Sequence, residues 1–144
     1  MENEYAVMSV VNVRIDERDL STMLAKACIP CVRGFSNAKE KDLESFKAAK
    51  EQIIAEDGAV IPHRVEDIWA RMLLNGGSME FRDPEDGRDI EVDIHDIAKA
   101  IIDYGNSHVA SNLGPSLKAI AKDGNFCDAD AVIQFAMYGG VIHN

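Results

Sequence analysis

Three groups of residues in this chain have types and spacings that could do chemistry. Cys28-Ile29-Pro30-Cys31 has the C-x-P-C spacing of a thioredoxin-type redox pair. That chemistry needs a low-pKa thiolate at a helix N-terminus with a second thiol in reach. His95 and Asp96 are adjacent, with Ser107, His108 and Ser111 a little further on. An imidazole–carboxylate pair is the material of general-base catalysis, given a nucleophile in reach. Glu80, Asp83, Glu85, Asp86 and Asp89 crowd one short stretch, and between Glu80 and Asp96 eight carboxylates face two arginines. Such a cluster suits either a calcium ion or a basic protein partner.

Spacing and context favour structural roles for most of these groups. The cysteine pair falls at the C-terminal end of a predicted helix, where the helix dipole opposes a thiolate, and no βαβ pattern surrounds it. A zinc site takes about four ligands. Cys127, His63, His95, His108 and His143 are too scattered to complete one with Cys28 and Cys31. The acidic stretch fails the EF-hand pattern, because Gly87 in the sixth position puts Arg82 in the first. No strand–serine–helix elbow accompanies His95 and Asp96, which read as the start of a helix. Gly76-Gly77 and Gly139-Gly140 follow predicted helices, so they read as helix stops, and no phosphate-binding fingerprint is present. The sequence therefore assigns no catalytic residue, metal or cofactor. The enzymatic alternative is a small-substrate reaction using His95, Asp96 and His108, or the Cys28/Cys31 pair.

Composition narrows the classes. The 144 residues are expected to form one domain spanning 1–144, and 47% hydrophobic content suits a globular chain. A formal net charge of −10 repels nucleic acid phosphates, so no DNA or RNA partner bound through a basic surface is expected. The apolar runs are too short to span a membrane. Three cysteines and no basic-then-apolar leader predict reduced thiols in a bacterial cytoplasm.

The elements that must position these residues follow from periodicity. Tyr5 to Ile15 reads as one strand, apolar on both faces near its start. Asp16 caps a helix carrying Leu20, Met23, Leu24, Ala27 and Cys28, which Pro30 ends. Lys39 to Glu56 reads as a charged helix with a narrow stripe of Leu43, Phe46, Ala49 and Ile53. Asp57-Gly58 closes it, and Ala59–Ile61 reads as a short strand. Val65 to Ile102 is the clearest unit. A helix with Val65, Ile68, Trp69, Met72 and Leu73 is stopped by Gly76-Gly77. A hairpin alternates through Met79, Phe81, Ile90, Val92 and Ile94, and a helix capped by Asp93 follows. Tyr104 to Gly114 reads as a loop, Pro115 as the first position of a short helix, and Asp128 as the cap of the last helix. Val141-Ile142 reads as a terminal strand. The expected fold class is α+β: a small antiparallel sheet, made of the N-terminal strand plus the central hairpin, packed against several amphipathic helices.

Three passages taken together carry a resemblance. They are the N-terminal strand with Asp16-Glu17-Arg18-Asp19-Leu20, the run from Trp69 through Gly76-Gly77 and the Asp83–Asp86 turn to Asp93, and the segment from Asp128 to Ile142. Their order and spacing resemble a group of short acidic proteins encoded by bacteriophages and prophages. Those share a Gly-Gly before a hairpin, an acidic turn, and a closing acidic, helical, glycine and apolar tail. Region 28–57 departs from the pattern by being more charged and helical. The group has no established activity, so the resemblance implies a setting, a phage or prophage gene in a bacterial cytosol, and no catalytic residues.

The functional expectation is a non-enzymatic binding protein that interferes with a host defence or regulatory factor. Its ligand is a host protein with a basic groove, met by Glu80, Asp83, Glu85, Asp86 and Asp89. The other version is a small nucleotide signal held between subunits by Arg14, Arg33, Arg64, Arg71, Arg82 and Arg88. A third reading is a minor structural or assembly component of the virion. Self-association through the strand near Tyr5 or through Val141-Ile142 is left open.

Overall fold

The computed structural model describes residues 7–10, 13–27, 38–57, 64–83, 85, 87–107 and 113–139. In chain order these form β1 (Val7–Val10), β2 (Val13–Asp16), α1 (Glu17–Ala27), β3 (Lys39–Glu40), α2 (Leu43–Asp57) and α3 (Val65–Leu74). Next come β4 (Met79–Arg82), β5 (Asp89–Val92), α4 (Ile94–Gly105), α5 (Leu117–Asp123) and α6 (Phe126–Tyr138). The fold class is α+β. Two antiparallel sheets are present among the described residues, a two-stranded β1-β2 and a three-stranded β3-β4-β5.

Local signals explain the helix ends. The Asp16 carboxylate accepts the Arg18 amide at 2.9 Å, which starts α1 one residue later. Glu17 and Asp19 in its first turn and Lys26 in its last suit the helix dipole. Lys26 Nζ also donates to the Ala121 and Gly124 carbonyls at 2.6 and 2.7 Å, fastening α1 to the end of α5. Gly76, at φ +97°, lets the chain turn out of α3. Asp93 accepts the Asp96 amide at 3.0 Å while Asp96 accepts the Asp93 amide at 3.0 Å, a reciprocal box that opens α4.

One core joins these elements. Ile15, Leu20, Met23, Leu24, Met72, Leu73, Met79, Phe81, Ile97, Ile101 and Tyr104 are fully buried in it. Helix α4 lies along α6, α1 packs on α3, α5 and α6, and α2 rests on α3.

Five expectations are corrected. The N-terminal segment is a hairpin, not a single strand: Val7 pairs with Asp16 and Val10 with Val13, in a sheet separate from the central hairpin. Lys39 and Glu40 pair with Glu80 and Met79 instead of opening a helix. The helix starts only at Leu43, because Asp42 accepts the Ser45 amide at 2.8 Å. Tyr104 lies in the last turn of α4, not in a loop. Pro115 precedes Ser116, which caps α5, and the cap of α6 is Asn125. Asp128 is its partner three residues on, accepting the Asn125 amide at 2.8 Å. The expected strands at Ala59–Ile61 and Val141-Ile142 lie outside the described residues.

Candidate interaction surface

The period of two along a strand sorts the residues of the three-stranded sheet onto two faces. Met79, Phe81 and Val92 point into the core and are fully buried. Their neighbours Glu80, Arg82, Asp89 and Glu91 point away, with Glu80 directly opposite Glu91 and Arg82 opposite Asp89. Lys39 on β3 stands opposite Glu80. The outward face thus gathers charges from three separate stretches of sequence.

Their pairing follows from this register. Like charges placed directly across a strand pair destabilise it, so Glu80 and Glu91 need a cation between them. Lys41 supplies it, with Nζ 3.3 Å from Glu80 and 3.8 Å from Glu91. Lys39 lies 3.8 Å from Glu80 and 3.7 Å from Asp89. Arg82 Nε donates to Asp89 at 3.1 Å. The hydrogen bond from Lys41 to Glu80 raises the lysine pKa, and Arg82 holds the Asp89 carboxyl below its usual range. Three cations, Lys39, Lys41 and Arg82, balance three anions, Glu80, Asp89 and Glu91.

The five carboxylates singled out in the sequence are therefore not equivalent. Glu80 and Asp89 share the outward face. Asp83 does not: its side chain is buried, and it accepts the Tyr138 hydroxyl at 2.5 Å and the Glu85 amide at 2.8 Å. It organises the turn and ties it to the end of α6. Glu85 is exposed on that turn, and Asp86 lies outside the described residues. Lys39, Lys41 and Glu91 are members of the surface that sequence reasoning missed. Glu91 was legible as the outward neighbour of Ile90 and Val92, whereas the two lysines were assigned to a helix.

The other candidates fall apart in space or into structural roles. His95 is exposed, Asp96 serves the α4 cap, and partial desolvation raises the Asp96 carboxyl. His63, His108, His143, Ser111, Cys28, Cys31, Arg33 and Gly140 lie outside the described residues. Cys127 is exposed in the first turn of α6. Arg71 is clamped by two carboxylates, from Nε to Glu17 at 2.5 Å and through two bonds of 2.8 Å to Glu56. These bonds raise its pKa, and Arg71 holds the Glu56 carboxyl below its usual range. Arg64 pairs with Asp67 at 3.3 Å and donates to Ser21 at 3.0 Å, while Ser21 itself donates to Asp67. Arg14 and Arg88 are exposed. Among the described residues no group of three potential metal ligands converges, and no helix is long and apolar enough to cross a membrane.

No family model, curated protein or solved structure matches the chain.

Proposed function

We propose that this chain is a non-enzymatic binding protein of phage or prophage origin, which engages a host defence or regulatory protein through the outward face of its β3-β4-β5 sheet. The observation that carries this reading is the charge lattice of Lys39, Lys41, Glu80, Arg82, Asp89 and Glu91 on that face. Exposed ion pairs contribute about 0.2–1 kcal/mol at best, so such a lattice does little for folding. What alternating charge on a sheet face supplies is orientation and choice of partner. The phage setting rests on the resemblance of the three sequence passages.

A protein ligand is favoured over a small nucleotide by the arginines. Arg71, Arg82 and Arg64 already bind carboxylates of this chain. A nucleotide phosphate would have to compete with those partners.

The test is quantitative affinity capture from a bacterial host lysate. The baits are the wild type, an E80K/D89K/E91K variant, and a control variant reversed at Glu44 and Glu51 on exposed α2. A host protein retained by wild type and control but lost by the sheet variant supports the reading. A partner retained equally by all three contradicts it, provided circular dichroism shows all three folded.

A further inference from the structure

Residues 38–57, comprising β3 and α2, are attached to the chain unlike the helices around them. Helix α4 buries Ile94, Ile97, Ala98, Ala100, Ile101 and Tyr104. Helix α2 is longer, at 15 residues, yet buries only Ala49 and Ile53, with Phe46 half-covered and Leu43 exposed. Strand β3 contributes two residues to the edge of β4.

The remaining attachments are polar. Trp69 Nε1 donates to Glu40 at 3.1 Å, Asn75 donates to Gln52 at 3.0 Å, and Arg71 holds Glu56. Lys39 and Lys41 hold Glu80. Where water reaches such groups, it replaces their partners at small net cost. Apolar burial of Ala49 and Ile53, with part of Ala38 and Phe46, is the main force opposing release. An isolated helix of this length is marginal in water, so release means unravelling.

We infer that residues 38–57 form a strap that lifts and unravels as a unit while the rest of the core stays folded, and that lifting switches the charge of the sheet face. With the strap in place, three cations balance three anions. With it lifted, Lys39 and Lys41 depart, and of those three cations Arg82 remains beside Glu80, Asp89 and Glu91. The face becomes acidic and fit for a basic partner. The lifting stands on packing alone; its role as a gate rests on the binding surface proposed above.

Native-state hydrogen exchange on the full chain tests the lifting, with Ala48→Gly as the probe. Ala48 is exposed in mid-helix, so the change acts chiefly through helix propensity. Amides of α2 are expected to exchange at lower protection than those of α4 and α6. In Ala48→Gly they should speed up about fivefold while α4 and α6 stay unchanged. The single tryptophan, Trp69, gives a second readout, because its indole N–H loses Glu40 on lifting. Equal protection in α2, α4 and α6, or acceleration of all three by Ala48→Gly, overturns the strap. An octalysine peptide tests the gate: Ala48→Gly should bind it up to about fivefold tighter than wild type, as a larger open fraction requires. Equal affinity overturns the gate even where exchange demonstrates lifting.

Discussion

The Tyr138 hydroxyl donates to Asp83 Oδ2 at 2.5 Å, joining the last turn of α6 to the hairpin turn 55 residues earlier in the chain. At the other end of α6, the Tyr104 hydroxyl donates to Asp128 Oδ1, also at 2.5 Å. The helix is thus bolted at both ends by a phenol on a buried carboxylate, once as owner of the phenol and once as owner of the carboxylate.

Tyr138→Phe and Tyr104→Phe keep the ring and remove the bolt. Each is expected to lower stability by about 1–3 kcal/mol, the cost of withdrawing a donor from a buried acceptor. The two sites are about 15 Å apart along the helix, so the double variant should lose the sum within about 0.5 kcal/mol. Urea unfolding checks this. The ring of Tyr104 meets Phe135 edge-on at 5.9 Å, a contact that phenylalanine preserves, so the loss reports the hydroxyl.

The Arg71 clamp makes a second prediction. Glu17 is buried, and Arg71→Met would leave its carboxylate without its charge partner. Removing one member of such a pair costs about 3–5 kcal/mol where burial is complete, and somewhat less here because Glu56 is exposed. Arg71→Lys keeps the charge but not the fork that reaches both acids, so it should fall between wild type and Arg71→Met in urea midpoint.

Much of this architecture was legible because its signals are local. The run from Val65 to Ile102 carries its own periodicity, glycine stop, turn and cap, and each element was read in its proper place. Lys39-Glu40 carries no such signal: two charged residues suit a helix as well as a strand, and only the β4 edge decides. The N-terminal hairpin was hidden because the sequence is apolar at both alternating sets of positions near its start, which reads as one continuous strand. The surface was half visible. Alternation placed Glu80 and Asp89 outward, but the burial of Asp83 depends on Tyr138, and the pairing of Glu80 with Lys41 bridges 39 residues. Contacts at that range leave no mark in local pattern.

Acid should loosen the strap and the sheet face. Glu56 is held low by Arg71, Asp42 by the Ser45 amide and Asp89 by Arg82. Below the ordinary carboxylate range the unfolded chain binds protons that these folded carboxylates still refuse. Their contribution is therefore complete above that range and is lost as pH falls through the depressed folded values. Asp96 and Asp19, both raised by desolvation, act with the opposite sign and recover stability on acidification. The expected net result is a falling urea midpoint and lower α2 protection, relative to α4 and α6 at the same pH, below about pH 4. A midpoint that rises over that interval would contradict it.

Two glycines should respond in an order opposite to their dihedral angles. Gly87 has φ +75°, but a Cβ there meets nothing within 4 Å, so Gly87→Ala should cost about 1 kcal/mol of backbone strain. At Gly105 a Cβ would sit 2.3 Å from the Pro115 backbone. Backbone cannot step aside as a side chain can, so Gly105→Ala should cost about 3 kcal/mol or more. Thermal melts of the two variants check the ranking.

The most direct test of the recognition surface is site-specific photo-crosslinking in living bacterial host cells. A photoreactive phenylalanine analogue replaces Glu91 on the sheet face in one variant and Glu51 on the outer side of α2 in another. Recognition through the sheet face predicts a discrete protein adduct from position 91 and none from position 51. An adduct from position 51 alone, or from neither position, would contradict it.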